Sequence, residues 1–229
     1  MAEKEVTLMK LFISALIKYV SGVLLVGTLL FLPAGTLRYP GGWRLMALLF
    51  IPIFLLGVVM LIKAPALLRS RLDGKEKETT QKGVVAVCGL LFLGGFITAG
   101  VDFRFGWSAM PGWVVVVASV VFLLSYGLYA EVMRENAYLS RTIGVQEGQQ
   151  VVSTGLYGIV RHPMYAVTVV LFFSIPLVLG SWWAVLWFVP YPVLMGVRIR
   201  NEEQVLERDL PGYTDYKQKV KYRLIPFIW

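Results

Sequence analysis

Four long apolar stretches, at roughly 11–31, 45–62, 83–101 and 112–130, decide what this chain can fold into. A hydrocarbon layer about 30 Å thick is crossed by about 20 apolar residues in a helix. Each stretch is of that order, and each predicts one spanning helix. A polar segment from Glu131 to Pro163 follows. Beyond it lies a fifth apolar block, 164–197, interrupted by Leu179-Gly180-Ser181. At about 1.5 Å per residue, each half is barely long enough to span. The halves read as a tight helical hairpin, tilted or kinked at Pro176 and Pro190; the alternative is one long bent helix. With 57% hydrophobic residues, against about 45–50% in soluble domains, the fold class is an all-α integral membrane protein. Four full spanning helices plus a C-terminal helical hairpin make about six membrane segments. Residues 1–130 form the N-terminal transmembrane part, and 131–229 form the region that carries the polar motifs.

The charges fit that layout. With six segments, 18 Lys and Arg fall in the segments on one side and three (Arg38, Arg44, Arg104) on the other. Positive residues accumulate on the cytoplasmic side, so both termini and the segment 131–164 are expected there. The net charge of +8 then points to anionic membrane lipid rather than to nucleic acid. The acid-bearing start MAEKEVTLMK reads as the lead-in to a retained helix, not a cleaved signal. One His and one Cys cannot build a structural zinc site, so no metal is expected. Transporters place ionisable residues at mid-membrane depth; here only Lys18 is so placed, which argues against transport. The segment RSRLDGKEKETTQK reads as a solvated connector.

Two polar constellations border the hairpin. The first is GLYGIVRHPMY, residues 155–165, which holds the only histidine. Proline is favoured at the first helical position, and the residue before it prefers an extended backbone. Pro163 therefore opens a helix with His162 just outside. Helix N-termini attract anions, and Arg161 adds a cation that favours neutral His162. Gly155 and Gly158 permit a tight turn or a close approach, and Tyr157 and Tyr165 flank it. A plainer reading has Arg161 reaching lipid phosphate and the tyrosines acting as interface aromatics. The second constellation is MGVRIRNEEQVLERDLPGYTDY, residues 195–216. Arg198 and Glu202, four apart, share a helix face, and Pro211-Gly212 stops the helix. Its plainer reading is a solvated helix with ordinary ion pairs. Because both constellations lie on one membrane face, they can meet in one pocket. The tail KVKYRLIPFIW reads as an interfacial anchor or as a lid.

The pattern G-x-Y-x-x-x-R-H-P-x-Y, followed about 35 residues later by R-x-x-x-E-E-x-x-L, then Y-x-x-Y and a closing I-P, resembles the isoprenylcysteine carboxyl methyltransferase family. Phospholipid N-methyltransferases are looser relatives. The resemblance covers roughly residues 136–229, and between Leu206 and Tyr213 this chain is one residue shorter than the pattern. It implies S-adenosylmethionine as cofactor. It implies that the strand-like Gln149, Gln150, Val151 and Val152 meet the adenosine, with Tyr157 as a further contact. It implies that His162, Pro163, Met164 and Tyr165 hold the methionine end, beside Arg161. It implies that Glu202 binds cofactor and that Arg198 stands at the substrate end. Asn136 and Arg141 precede the motif as possible contributors.

The chemistry of these residue types agrees. Arg161, His162 and the helix N-terminus suit the cofactor's carboxylate; Glu202 suits its ammonium or a ribose hydroxyl. A carboxylate acceptor held by Arg198 needs no base, whereas an amine acceptor needs one, for which Glu202 or Glu203 is the candidate. The expected activity is methyl transfer to a lipidic or small hydrophobic substrate entering from the bilayer. Two other expectations stand beside it: an NADPH-dependent sterol or isoprenoid reductase on the same frame, and a non-catalytic transporter or scaffold.

Overall fold

The computed structural model describes residues 2–72, 79–140 and 143–229, with side chains from residue 8 and none at 79 and 80. The chain runs through α1 (Ala2–Ala34), α2 (Pro40–Lys63), α3 (Pro65–Leu72), α4 (Thr79–Phe105) and α5 (Gly112–Glu135). A coil carrying one 3₁₀ turn (Gly155–Gly158) leads to α6 (Pro163–Leu179), α7 (Trp182–Phe188), α8 (Tyr191–Asp209) and α9 (Tyr213–Lys219). No strand occurs among the described residues, so the strand-like 149–152 is coil.

Five stretches are long and apolar enough to cross a membrane: Leu8–Ala34, Pro40–Lys63, Gln81–Phe105, Gly112–Glu135 and Trp182–Asp209. Their outer faces carry exposed Leu24, Leu32, Ile62, Trp113 and Val193, which only lipid tolerates in such density. The chain is an integral membrane protein. The helices extend beyond the expected apolar stretches because flanking polar residues continue the hydrogen-bonded ladder. The expected connector 69–82 is partly helical: it includes the end of α3 and the start of α4, while its residues 73–78 lie outside the described ones.

The sixth segment, α6, has 17 residues and is about 25 Å long. It avoids a thickness mismatch by lying inside the bundle. Tyr165, Val167, Leu171, Ile175, Val178 and Leu179 are all buried, as expected of a helix apolar on every side. It packs against α5, α2, α4 and α7. The block 164–197 is a hairpin, not one bent helix. Arg198 meets Tyr165 and Phe172 meets Tyr191 with ring centroids 4.9 Å apart; both pairs centre between Ser181 and Trp182. Gly180 makes the reversal at φ +81°, with Ser181 N–H bonded to Pro176 O at 3.0 Å, the usual glycine-terminated helix end. Ser181 Oγ then accepts from Ala184 N and caps α7. Pro190 separates α7 from α8; Pro176 stays within an unbroken α6.

Where helices approach closely, side chains are small. A Cβ on Gly100 of α4 would lie 2.6 Å from Leu30 O of α1, and one on Gly94 would lie 2.5 Å from the Trp187 ring. At the hairpin's turn, buried Asp102 accepts from Ser108 N–H (2.7 Å), Ser108 Oγ (2.6 Å) and Ser181 Oγ. Tyr39 donates to Leu179 O at 2.9 Å and Arg44 to Val178 O at 3.1 Å. These bonds hold one end of the bundle shut. The motif residues gather at the other.

Candidate functional site

At that other end the coil residues 138–140, 143–144 and 149–152, the 3₁₀ turn, the start of α6, the later turns of α8 and the start of α9 surround a cleft. The empty space between these walls is about 820 Å³ when the open mouth and the solvent in it are counted. Of the residues expected at the site, Gln149, Gln150, Val151, Val152, Tyr157, Arg161, His162, Met164, Tyr165, Arg198 and Glu202 line it. Pro163 does not. It sits buried at the first position of α6, where it sets the start of the helix that carries Met164 and Tyr165. Asn136 lines the cleft and donates to Tyr157 Oη at 3.0 Å. Arg141 lies outside the described residues.

Tyr165 links the two constellations. Its hydroxyl donates to Glu202 Oε2 at 2.5 Å and accepts from Arg198 Nε at 2.9 Å. The phenol thus bridges a carboxylate and a guanidinium four residues apart on α8, and it fixes both side chains. Arg198 Nη1 also donates to Gln81 Oε1 at 3.1 Å, and Gln81 Nε2 donates to Asn201 Oδ1 at 2.8 Å. Gln81 is wholly buried. Nothing in the sequence marked it, since it is a single amide at the start of α4, 117 positions from Arg198.

Arg161 lines the cleft and is also tied into the fold. It donates to Glu203 Oε1 at 2.7 Å, Val220 O at 2.7 Å and Lys221 O at 2.8 Å. Glu203 is likewise committed. Its oxygens also meet Arg223 Nε at 2.9 Å and His162 Nε2 at 3.3 Å, and its side chain is 3% exposed. A buried carboxylate surrounded in this way serves as a fastener, so Glu203 is removed as a general base. The neighbour of the His162 ring is therefore a carboxylate as well as the expected cation. The backbone N–H groups of Arg161 and His162 donate to Tyr222 O and Arg223 O, both at 2.9 Å. The tail is a strap fastened beside the cleft. Among the described residues, none of 217–229 lines the cleft.

Burial raises the phenol pKa of Tyr157, Tyr213 and Tyr216 well above the ordinary tyrosine value. All three stay protonated at neutral pH. Tyr216 Oη donates to Tyr157 O at 2.7 Å. Tyr213 and Tyr216 were visible as Y-x-x-Y, but the shortened spacing before them hid their place in the cleft. The lining residues Tyr138, Leu139, Ser140, Ile143 and Gly144 sit in irregular coil and had no periodic signal.

Residues 113–210 match the model of a family described as phospholipid methyltransferase. The chain is 31% identical over 93 residues to a Delta(14)-sterol reductase of Mus musculus, a match that covers 38% of this chain and 22% of that protein. The chain thus spans about a fifth of the length of the curated relative it matches. The family match includes α5, α6, α7, α8 and much of the cleft wall, from Asn136 to Leu210.

Proposed function

We propose that this chain is an integral membrane methyltransferase that uses S-adenosylmethionine and acts on a lipidic or hydrophobic acceptor. The observation that carries the reading is the meeting of Glu202, Tyr165 and Arg198 in a cleft most of whose wall lies within the stretch that matches the phospholipid methyltransferase model. The donor set fits the cofactor. Glu202 offers a carboxylate to an ammonium or hydroxyl. Val151, Val152, Ile143 and Leu206 offer an apolar face to a flat base. A buried phenol oxygen, Tyr213 Oη, lacks a partner among the described residues, as expected where a ligand completes the hydrogen bonding.

When bound, S-adenosylmethionine supplies a methyl group already activated on a sulfonium. The protein then has mainly to align the acceptor, an effect worth about 7–11 kcal/mol. Arg198 is the aligning residue. Its guanidinium is held by Tyr165 and by Gln81, so an anionic acceptor meets a fixed fork. A carboxylate acceptor needs no base. For an amine acceptor Glu202 is the base that remains, because Glu203 is committed to Arg161 and Arg223. We place the cleft and both termini on the cytoplasmic side, following the charge asymmetry.

The sterol-reductase likeness favours a second reading, reduction with NADPH on the same frame. One titration separates the two. S-adenosylhomocysteine is expected to raise the melting temperature of the purified protein, NADPH to leave it unchanged, and His162→Ala and Glu202→Ala to remove the shift. Stabilisation by NADPH alone would replace this reading with the other.

A further inference from the structure

Five tyrosines line the cleft, and four of their hydroxyls have protein partners. Tyr138 donates to Gly148 O at 3.0 Å, Tyr157 accepts from Asn136, Tyr165 bridges Glu202 and Arg198, and Tyr216 donates to Tyr157 O. The fifth, Tyr213, is 4% exposed, and its hydroxyl has no partner among the described residues. Native structures seldom leave such a group unmatched. The position is not an accident of a loose loop. Gly212, at φ +83°, turns the chain after α8, and Tyr213 opens α9 with its N–H bonded to Leu210 O at 3.2 Å. The ring then packs with Leu210, Tyr216 and Val220. The fold fixes an unmatched, buried hydroxyl on a residue of the cleft wall.

Its electrostatic setting narrows what it meets. The carboxylates of Glu202 and Glu203 both act on the phenol. Glu203 is neutralised by Arg161 and Arg223, whereas Glu202 takes the Tyr165 hydroxyl and lines the open space. A neutral phenol both donates and accepts, and the carboxylate of Glu202 beside the open space supplies the negative field. A cation with several N–H donors suits that pair; a second anion does not. Resting on the cofactor reading above, we infer that Tyr213 and Glu202 together receive the α-ammonium of the cofactor's amino-acid end. Tyr213, the first tyrosine of the Y-x-x-Y pair, is then a cofactor-binding residue with a stated partner atom.

Two ligands and two proteins test this in one cycle: S-adenosylhomocysteine and S-adenosyl-4-thiobutyrate, which lacks only the amine, titrated against the full-length wild type and Tyr213→Phe. The variant removes an oxygen that bonds nothing among the described residues, so the ligand-free melting temperature is expected to stay level or rise. Wild type is expected to bind S-adenosylhomocysteine about tenfold or more tightly than the amine-free ligand, as for a hydrogen bond to a charged group. In Tyr213→Phe that preference is expected to shrink severalfold. Equal preferences in the two proteins mean that phenol and amine do not interact, and would overturn the inference while leaving the methyltransferase reading intact. Failure of wild type to bind S-adenosylhomocysteine at all would remove both.

Discussion

Adjacent glutamates on α8 have opposite tasks, and exchanging Glu203 for alanine tests the division. Glu203 accepts from Arg161 and Arg223 and meets His162, with Arg161 and Glu203 side chains 4% and 3% exposed. Removing the carboxylate leaves the Arg161 guanidinium buried without its counter-charge. Breaking a buried pair in this way costs about 3–5 kcal/mol. Arg161 keeps its bonds to Val220 O and Lys221 O, which puts the expected loss near the lower figure. For a chain of 150–250 residues, about 1 kcal/mol moves the melting temperature by about 2–4 °C, so Glu203→Ala should melt about 6–12 °C below wild type. Intrinsic tryptophan fluorescence during heating in detergent measures this, at one fixed scan rate because such unfolding is commonly irreversible. Glu202→Ala should lose less than Glu203→Ala, since Glu202 is only partly buried and its removal strands no charge pair, only the Tyr165 O–H that it accepts, at about 1–3 kcal/mol. The double replacement Arg161→Met with Glu203→Leu should recover much of the loss, because no charge is then stranded. A Glu203→Ala protein melting within about 2 °C of wild type, with Glu202→Ala the less stable, would refute the reasoning.

Arg198→Ala should leave S-adenosylhomocysteine affinity nearly unchanged and lower turnover, which paired binding and activity assays will read; undiminished activity would strip the residue of its assigned role. Gly100→Ala should destabilise the protein by thermal melting, because its Cβ would lie 2.6 Å from Leu30 O, while Gly57→Ala, with open space around its Cβ, should not. A reporter fused after Trp229 should read cytoplasmic, and a signal from the opposite side would overturn the proposed orientation.

The membrane architecture was legible because the bilayer imposes a length on apolar segments, and hydropathy reads that length directly. The hairpin was legible from Gly180, whose left-handed conformation ends α6, although the sequence alone left a single bent helix open. The cleft was legible where chemistry-bearing residues cluster along the chain, at 149–165 and 198–202. Roles that depend on three-dimensional pairing were not. Arg161 beside His162 reads as an anion site until Glu203 and the tail carbonyls at 220 and 221 are seen to occupy its guanidinium. Glu202 and Glu203 are indistinguishable in sequence. On α8 they differ by about 100° of rotation, which turns one toward the cleft and buries the other. Gln81 reaches Arg198 across two helices, a contact no local pattern encodes.

The most direct measurement is transfer of a labelled methyl group from S-adenosylmethionine to a panel of lipidic carboxylates and amines by the purified protein. The account predicts label in an extractable lipid product, and its loss in Glu202→Ala at a temperature where that variant remains folded. Label in no acceptor, or equal labelling by wild type and Glu202→Ala, would contradict it.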